Sequence, residues 1–445
     1  MTGMGRLAAG LPIVLLSVLA PARTITWTDL TPAMQARLDK WSEGGSGFDA
    51  KVAGLAREGE RRVRQGDMDH LVFYLLQSTH FTKLPPLEPA LTAREFVEAM
   101  KSGALAGNRF PPRVRPRVAA FLRALGSKDR DPRLQYFRAL LDSVSTSRET
   151  VIAGEYMRAM TFLYAQEFVM RGRSRMGGEV AGLYETRGFS TDTAVEAGYA
   201  VHVGLSVLKA LDPSRRIRRV LIVGPGMDLA PRTGMLETGP PESYQPWAVI
   251  DALVGLGLSS LDALEVVGAD INPRVVSHLR ASRAAPPVLR LVTGLQESDT
   301  LQLSSDYRAY FAELGRVLGT PGTRPKAPAG HLAKTVRVNA RAAGALQVES
   351  LNIVTQRLEG QPFDLVIATN VLTYFEHIEL LLALSNISAM LQPDGILLHN
   401  ETRSKLPEDA AAAGLPVEQS RQVVIATVKG APPLADSVWV HRKPR

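Results

Sequence analysis

Cysteine is absent from all 445 residues, which excludes disulfides, thiolate metal sites and cysteine nucleophiles together. Aromatic residues make up only 6% of the chain, and the eight histidines include no HExxH or other tight pair with metal-ligand spacing, so no metal site is expected. Low-complexity tracts are also missing, and 45% hydrophobic with 22% charged residues is the composition of a folded soluble protein. Beyond the N-terminus no segment reaches about 18 uninterrupted apolar residues, the length needed to span a membrane. The chain is too long for one ordinary core, and its length predicts about two to three domains.

What is present begins with MTGMGRLAAGLPIVLLSVLAPARTITW. A single Arg6, an apolar run from Leu7 to Ala20, and Ala20 and Ala22 around Pro21 follow the n-region, h-region and A-x-A order of a secretory signal peptide. Residues 1–22 are therefore expected to be a signal peptide or membrane tether, placing the protein in an exported, periplasmic or membrane-tethered setting; a cytoplasmic protein is expected if the segment is no signal. The net charge is +8, with arginine clusters at 113–117, 171–175 and 215–219. These clusters are scattered and carry no interleaved aromatics, so they read as solvated helix ends and loops, and nucleic acid is not an expected partner.

From residue 23 to 183 the pattern is helical. Thr92-x-x-Glu95 and Thr146-x-x-Glu149 have capping-box spacing, and Ile152, Tyr156, Met160, Leu163 and Phe168 share a stripe that reads as core packing. The prolines of 83–89 and 109–116 separate helices. From residue 184 to 445, short β-branched runs alternate with helices. RRVLIVG, LEVVGAD, FDLVIATN and GILLHNE are almost continuously apolar, as strands buried on both faces are. RQVVIATV and DSVWVHR look like an antiparallel hairpin. The expected fold is α/β, a doubly wound, mostly parallel sheet with a C-terminal antiparallel hairpin, preceded by an all-α domain. Insertions are expected at about 227–246 and 284–341, the second with one helix near Asp306 to Leu318.

Ligands of such sheets bind beyond the carboxyl ends of the strands. Gly224 and Gly226 follow the first strand, where absent side chains let backbone donors approach a ligand. Asp270 follows the second, where a carboxylate can accept both hydroxyls of a ribose; Asn272 is better placed to cap the helix from Pro273. Asn370 follows a later strand, with Tyr374 and Phe375 close behind it. An aromatic face there would attract a sulfonium.

Together these residues resemble the class I S-adenosylmethionine-dependent methyltransferases, over roughly residues 184 to 445. VLIVGPG resembles the first motif, VVGADINP the acidic second and FDLVIATNVLTYFE the fourth, while LQPDGILLHNE looks like the fifth strand and the hairpin like the sixth and seventh. FDLV with NVL-YF is similar in wording to the chemotaxis-type protein-glutamate methyltransferases, which also place a helical domain first. The resemblance implies that Gly224 and Gly226 line the methionyl and ribose side of S-adenosylmethionine and that Asp270 binds the ribose hydroxyls. It places Asn352 near the adenine and Asn370 toward the methionyl or substrate side. Ser190 or Thr191 would touch the cofactor, although Thr193-x-x-Glu196 also fits a capping box. The implied reaction is in-line attack of an O or N nucleophile on the sulfonium methyl, for which positioning matters more than a strong base. Tyr374 and His377 are the candidate catalytic residues, with Glu401 behind them.

Two departures stand out. Val223 occupies the place of the acidic residue expected before the glycines, so Asp228 is a candidate to substitute for it from the other side. The next helix is expected only near Trp247, which makes the intervening loop either a source of substrate contacts (Asp228, Arg232, Tyr244, Gln245, Trp247) or an obstruction. A nicotinamide dehydrogenase fits less well, because Leu229 stands where the third glycine of the dinucleotide fingerprint belongs. The alternative from another class is a non-catalytic methyltransferase-like binding module, motivated by the signal-like N-terminus. The methyl acceptor is not legible; the basic charge suits an acidic one.

Overall fold

The computed structural model describes residues 21–105, 110–170, 183–185, 187–229 and 239–445. The apolar run expected to be a signal, the arginines of 171–175 and Arg232 lie outside the described residues. A short strand β1 (Ala22–Thr24) is followed by helices α1 (Pro32–Ser42), α2 (Phe48–Gln77), α3 (Pro89–Lys101), α4 (Arg115–Leu125), α5 (Pro132–Asp142) and α6 (Arg148–Tyr164). One of the prolines expected to separate helices, Pro89, also starts one. Pro32, Pro89 and Pro132 each open a helix, where the missing N–H has no intrahelical partner to lose.

Local capping departs from the expectation at three places. The N-cap of α3 is Glu88, and Thr92 lies inside the helix with its hydroxyl donating to the Glu88 carbonyl. The N-cap of α6 is Ser147, whose Oγ accepts from the Thr150 N–H, one residue beyond Thr146. Thr193 caps nothing: the next helix starts after Glu196, and the Thr193 hydroxyl donates to the Pro225 carbonyl in the glycine turn. Only at α6 does a neighbouring side chain, Ser147, take the capping role; α3 and the helix after Glu196 start without a side-chain cap.

The remaining elements are α7 (Ala197–Leu211), β2 (Arg219–Val223), α8 (Gln245–Gly255), β3 (Glu265–Asp270), α9 (Pro273–Ala284), β4 (Val288–Val292), β5 (Leu301–Leu303), α10 (Ser305–Glu313), β6 (Gly319–Pro321), β7 (Ala333–Val338), α11 (Ala340–Gly344), β8 (Leu346–Ser350), β9 (Gln356–Leu358), β10 (Phe363–Ala368), α12 (His377–Met390), β11 (Leu391–His399), α13 (Leu406–Ala412), β12 (Val417–Val428) and β13 (Ala431–Arg442). The main sheet has the order β5-β12-β13-β11-β10-β2-β3-β8. From β8 to β11 every pairing is parallel, whereas β13 runs antiparallel to β11 and pairs with β12 as the expected hairpin. Chain order reverses between β2 and β10, and that switch point opens a crevice beyond their carboxyl ends. The segment 284–341 is more regular than expected. It forms a three-stranded antiparallel sheet, β4-β7-β6, and sends β5 to the edge of β12.

Alternate residues of each central strand face opposite cores. Val220 and Ile222 join one buried cluster with Val266, Leu365 and Ile367; Leu221 and Val223 join the other with Val267, Val366 and Ala368. This explains the nearly continuous apolar runs. The helical region contributes to both clusters, through Leu71, Phe121, Phe137 and Tyr156 on one face and Met34, Leu38, Phe48 and Val52 on the other. The two regions therefore share their cores. At the N-terminal edge, β1 pairs antiparallel with β9, Arg23 opposite Arg357, and Asp29 ion-pairs with both arginines.

One buried pair makes the fold sensitive to acid. His399 and His441 face each other across β11 and β13 with Nε2 atoms 2.9 Å apart, and neither is exposed to solvent. His399 Nδ1 accepts from the Glu401 N–H, and His441 Nδ1 lies 2.8 Å from the Leu415 carbonyl, to which it must donate. One proton then lies between the two Nε2 atoms, and both rings are neutral. Burial pushes His399 well below the usual histidine range, and burial also lowers His441. A histidine that stays neutral when folded but protonates at about pH 6.5 when unfolded loses stability as pH falls below that value, by about 1.4 kcal/mol per pH unit per ring. Urea titrations between pH 7 and 5 are expected to show the wild-type protein losing stability relative to the His399→Leu/His441→Leu variant as pH falls.

Candidate functional site

Beyond the carboxyl ends of β2, β3 and β10 lies a cleft of about 700 Å³, counted with its mouth. Gly224, Gly226, Asp270, Asn352, Asn370 and Tyr374 all line it, as do Ser190 and Thr191. The sequence expectations for these eight positions thus converge on one cavity.

The glycine turn is left-handed at both glycines, with φ of +62° at Gly224 and +70° at Gly226. Space reinforces this backbone requirement. A Cβ on Gly224 would lie 2.6 Å from Val371 Cγ2, and one on Gly226 would overlap the Thr191 carbonyl and the Thr193 hydroxyl. Asp270 ends β3 and is only 6% exposed. Its carboxylate accepts from the Asn272 N–H at 2.8 Å and the Gly226 N–H at 3.4 Å, and burial raises its pKa to about 6 despite those bonds. Asn272 caps α9 as expected, its side chain accepting from the Arg274 N–H.

Asn352 follows β8 and turns the chain by accepting from the Val354 N–H with its own side chain. Asn370 follows β10 with φ of +58°, a conformation asparagine tolerates better than most residues. It is held by a reciprocal pair with Asn400 at the end of β11. The Asn370 N–H donates to Asn400 Oδ1, and Asn400 Nδ2 donates to Asn370 Oδ1, each at 2.8 Å. Tyr374 is buried, with its ring edge-on to Tyr184 and Phe189.

Three candidates fall elsewhere. Asp228 does not line the cleft; its N–H donates to the Glu242 carbonyl in a bridge that closes the base of the 227–246 loop. Its backbone is thus engaged in the loop base, and Asp228 is not among the residues that line the cleft. His377 opens α12 with a side chain 56% exposed and 3.4 Å from Asp409, outside the cleft. Glu401 caps its own turn by accepting from the Thr402 and Arg403 N–H groups. Among the described residues of the long loop none lines the cleft. Arg133 of α5 donates to the carbonyls of Leu229 and Gly239, and Glu242 accepts from the Arg290 N–H. These bonds hold the two ends of the loop against α5 and β4, away from the glycines.

The structure also brings in residues that the sequence pattern hid. Two arginines cap the carbonyls of the turn that carries Tyr374. Arg403 donates to Leu372, Thr373 and Phe375, and Arg62 donates to Tyr374 at 2.7 Å. Arg62 belongs to α2 and is 2% exposed. It also bonds the Arg187 and Tyr184 carbonyls, stacks 4.3 Å over Phe189, and ion-pairs with Glu379 at 3.2 Å. Val63, one residue on, lines the cleft. A signal for this was present: Gly59 and Gly66 are weak helix formers inside a thirty-residue helix, and such a glycine marks close approach of another segment.

No protein-family profile matches the sequence, and no curated protein is significantly similar to it. Among solved structures, the chain is similar to the N-methyltransferase NodS from Bradyrhizobium japonicum WM9, at 13% identity and a TM-score of 0.31 over 56% of this chain and 98% of that one. It is similar to a TehB-like SAM-dependent methyltransferase from Corynebacterium glutamicum ATCC 13032 Kitasato, at 13% identity and a TM-score of 0.28 over 63% and 98%. A third is magnesium protoporphyrin IX methyltransferase (ChlM) from Synechocystis PCC 6803 with bound SAM, at 10% identity and a TM-score of 0.29 over 63% and 93%. Likenesses this distant carry no argument about activity. The fold rests on the sheet itself, a doubly wound parallel core closed on one side by a C-terminal antiparallel hairpin.

Proposed function

We propose that this protein binds S-adenosylmethionine in the cleft and transfers its methyl group to an O or N nucleophile. The observation that carries this reading is the convergence of Asp270 and the Gly224–Gly226 turn at the switch point of the sheet. A carboxylate has about four acceptor positions, and the bonds of Asp270 engage two backbone donors. A ribose diol would supply two more donors to a group that burial otherwise disfavours as an anion. The donor set therefore fits the cofactor, with Asn352 on the adenine side and Asn370 toward the methionyl end. When bound, the cofactor supplies a methyl group already activated by the sulfonium. The chain's part is then to orient the acceptor and exclude water, and Tyr374 is the candidate to face the reacting end.

The proton on Asp270 provides a direct check. The diol needs the ionised carboxylate, so S-adenosylhomocysteine affinity is expected to be flat above pH 6 and to fall about tenfold per pH unit below it. Calorimetry from pH 8 to pH 5 measures this, and Asp270→Ala is expected to weaken binding at least about 100-fold at pH 7.5, the loss of a charge-assisted bidentate pair. No binding to the wild-type protein at millimolar ligand would overturn the reading and leave a non-catalytic module.

The acceptor we favour is acidic, in keeping with the net charge of +8. No helix among the described residues is long and apolar enough to cross a membrane. We assign to residues 1–22 a tethering role rather than a cleaved signal. Alkaline phosphatase and a cytoplasmic reporter fused after residue 30 test this, since active phosphatase would mean export instead.

A further inference from the structure

The α2 helix belongs to the region before the sheet, yet one of its faces runs along the rim of the cleft. Gly59, Arg62, Val63, Gly66, Asp67 and His70 lie at i, i+3, i+4, i+7, i+8 and i+11, the spacing of a single helical stripe. Gly59 abuts Asn352, and Asp67 accepts from the Asn272 side chain at 3.1 Å. His70, at the end of the stripe, is fully buried and is not part of the cleft surface.

Its hydrogen bonds determine its tautomer. His70 Nε2 lies 3.1 Å from the Thr191 backbone nitrogen and 3.1 Å from the Thr191 hydroxyl; the nitrogen can only donate, so the tautomer that satisfies this buried N–H presents a lone pair at Nε2. The ring proton is then on Nδ1, which faces Asp192 Oδ1 at 3.1 Å. The imidazole thus links α2 to two consecutive residues of the segment that lines the cleft. That segment is in turn interlocked with the glycine turn. The Thr191 hydroxyl donates to the Met227 carbonyl at 2.9 Å, the Met227 N–H donates to the Thr191 carbonyl at 2.7 Å, and Gly226 packs on that same carbonyl. Gly226 is also the residue whose N–H reaches Asp270.

We propose that His70, as the Nδ1–H tautomer, is a positioning residue of the cofactor cleft: it holds Thr191 against the glycine turn and so sets the spacing between Gly226 and Asp270. The ligand it serves is the adenosyl cofactor of the function proposed above, and the inference rests on that reading for the ligand's identity. His70 itself touches no ligand.

The full-length protein, His70→Gln and His70→Leu test this through two independent readouts. Without ligand, nitrogen-15 spectra of the imidazole are expected to show Nδ1 protonated and Nε2 bare. Hydrogen exchange at the Thr191 and Met227 amides is expected to accelerate roughly 10- to 100-fold in His70→Leu, where a buried donor has lost its acceptor. In His70→Gln, whose side-chain oxygen can replace Nε2 as acceptor, protection is expected to return to within about threefold of wild type. Calorimetry with S-adenosylhomocysteine is expected to follow the same order, with a comparable loss in His70→Leu and rescue in His70→Gln. A proton on Nε2, or His70→Leu amides as protected as in wild type, would overturn the proposal. If wild type fails to bind S-adenosylhomocysteine, the function falls, while the ligand-free exchange data still decide the positioning role. If His70→Leu does not fold, the tautomer and the His70→Gln exchange rates decide it.

Discussion

Arg62→Met is expected to destabilise the fold by about 3–5 kcal/mol, the cost of leaving a buried charge without its partner. Arg62 is 2% exposed and pairs with Glu379, itself 5% exposed. Burial pulls the arginine's pKa down and pushes the glutamate's up, so desolvation outweighs the attraction for each. Removing the guanidinium leaves Glu379 unpaired and also strips a donor from the carbonyls of Tyr184, Arg187 and Tyr374. Adding Glu379→Gln is expected to recover part of the loss, because the orphaned charge goes, but the three carbonyls remain without that donor. Urea unfolding of the single and double variants measures both terms. Recovery to wild-type stability would show that the carbonyl bonds contribute nothing. Lysine is a poor substitute here, since one ammonium cannot span the guanidinium's separate acceptors.

Two alanine substitutions in the same helix are expected to have opposite signs. Glycine in a helix interior costs about 1 kcal/mol relative to alanine. Gly54→Ala on α2 meets nothing within 4 Å and is expected to stabilise by about that amount. Gly66→Ala lies on the same helix, but its new Cβ would overlap the Phe189 carbonyl, and a Cβ on Gly188 would overlap the backbone of Gly66. The two segments touch backbone to backbone, with the Phe189 N–H donating to the Arg62 carbonyl at 2.8 Å. Backbone cannot rotate aside as a side chain can, so the substitution is expected to destabilise by about 1–3 kcal/mol or more. Urea midpoints of the two variants on either side of wild type would bear this out. A stabilised Gly66→Ala would mean that the 187–193 segment leaves α2 readily. The same variant is expected to weaken S-adenosylhomocysteine binding, since Phe189 and Ser190 line the cleft.

The parts of the site that were legible share a property. Gly224, Gly226, Asp270 and Asn370 each stand at the end of an apolar strand or within three residues of it, and strand ends in a parallel sheet are where ligands bind. Pattern alone therefore placed them. Asp228 and His377 also follow such elements, but the first residue past a turn can leave the cleft in any direction, and these two leave it. Arg62, Asp67 and His70 were hidden for a different reason. In the sequence RRVRQGDMDH they look like the polar face of an amphipathic helix, and only contact with a second segment turns that face inward. The edge strand β8, with buried and half-exposed residues alternating, lacked the continuous apolar run that marked its neighbours.

Nearly continuous apolar strands and their alternation with helices were enough to dictate a parallel sheet covered on both faces, because strands that are apolar throughout must be buried on both sides. The same local rules specified the glycine turn and the carboxylate beside it. The association of the helical region with that sheet was decided only in three dimensions. Its closeness depends on Gly66 and Gly188 meeting without side chains and on buried charges finding partners more than a hundred residues away. Those contacts join segments whose periodicities are independent, so the physics that selects them acts only once both have folded.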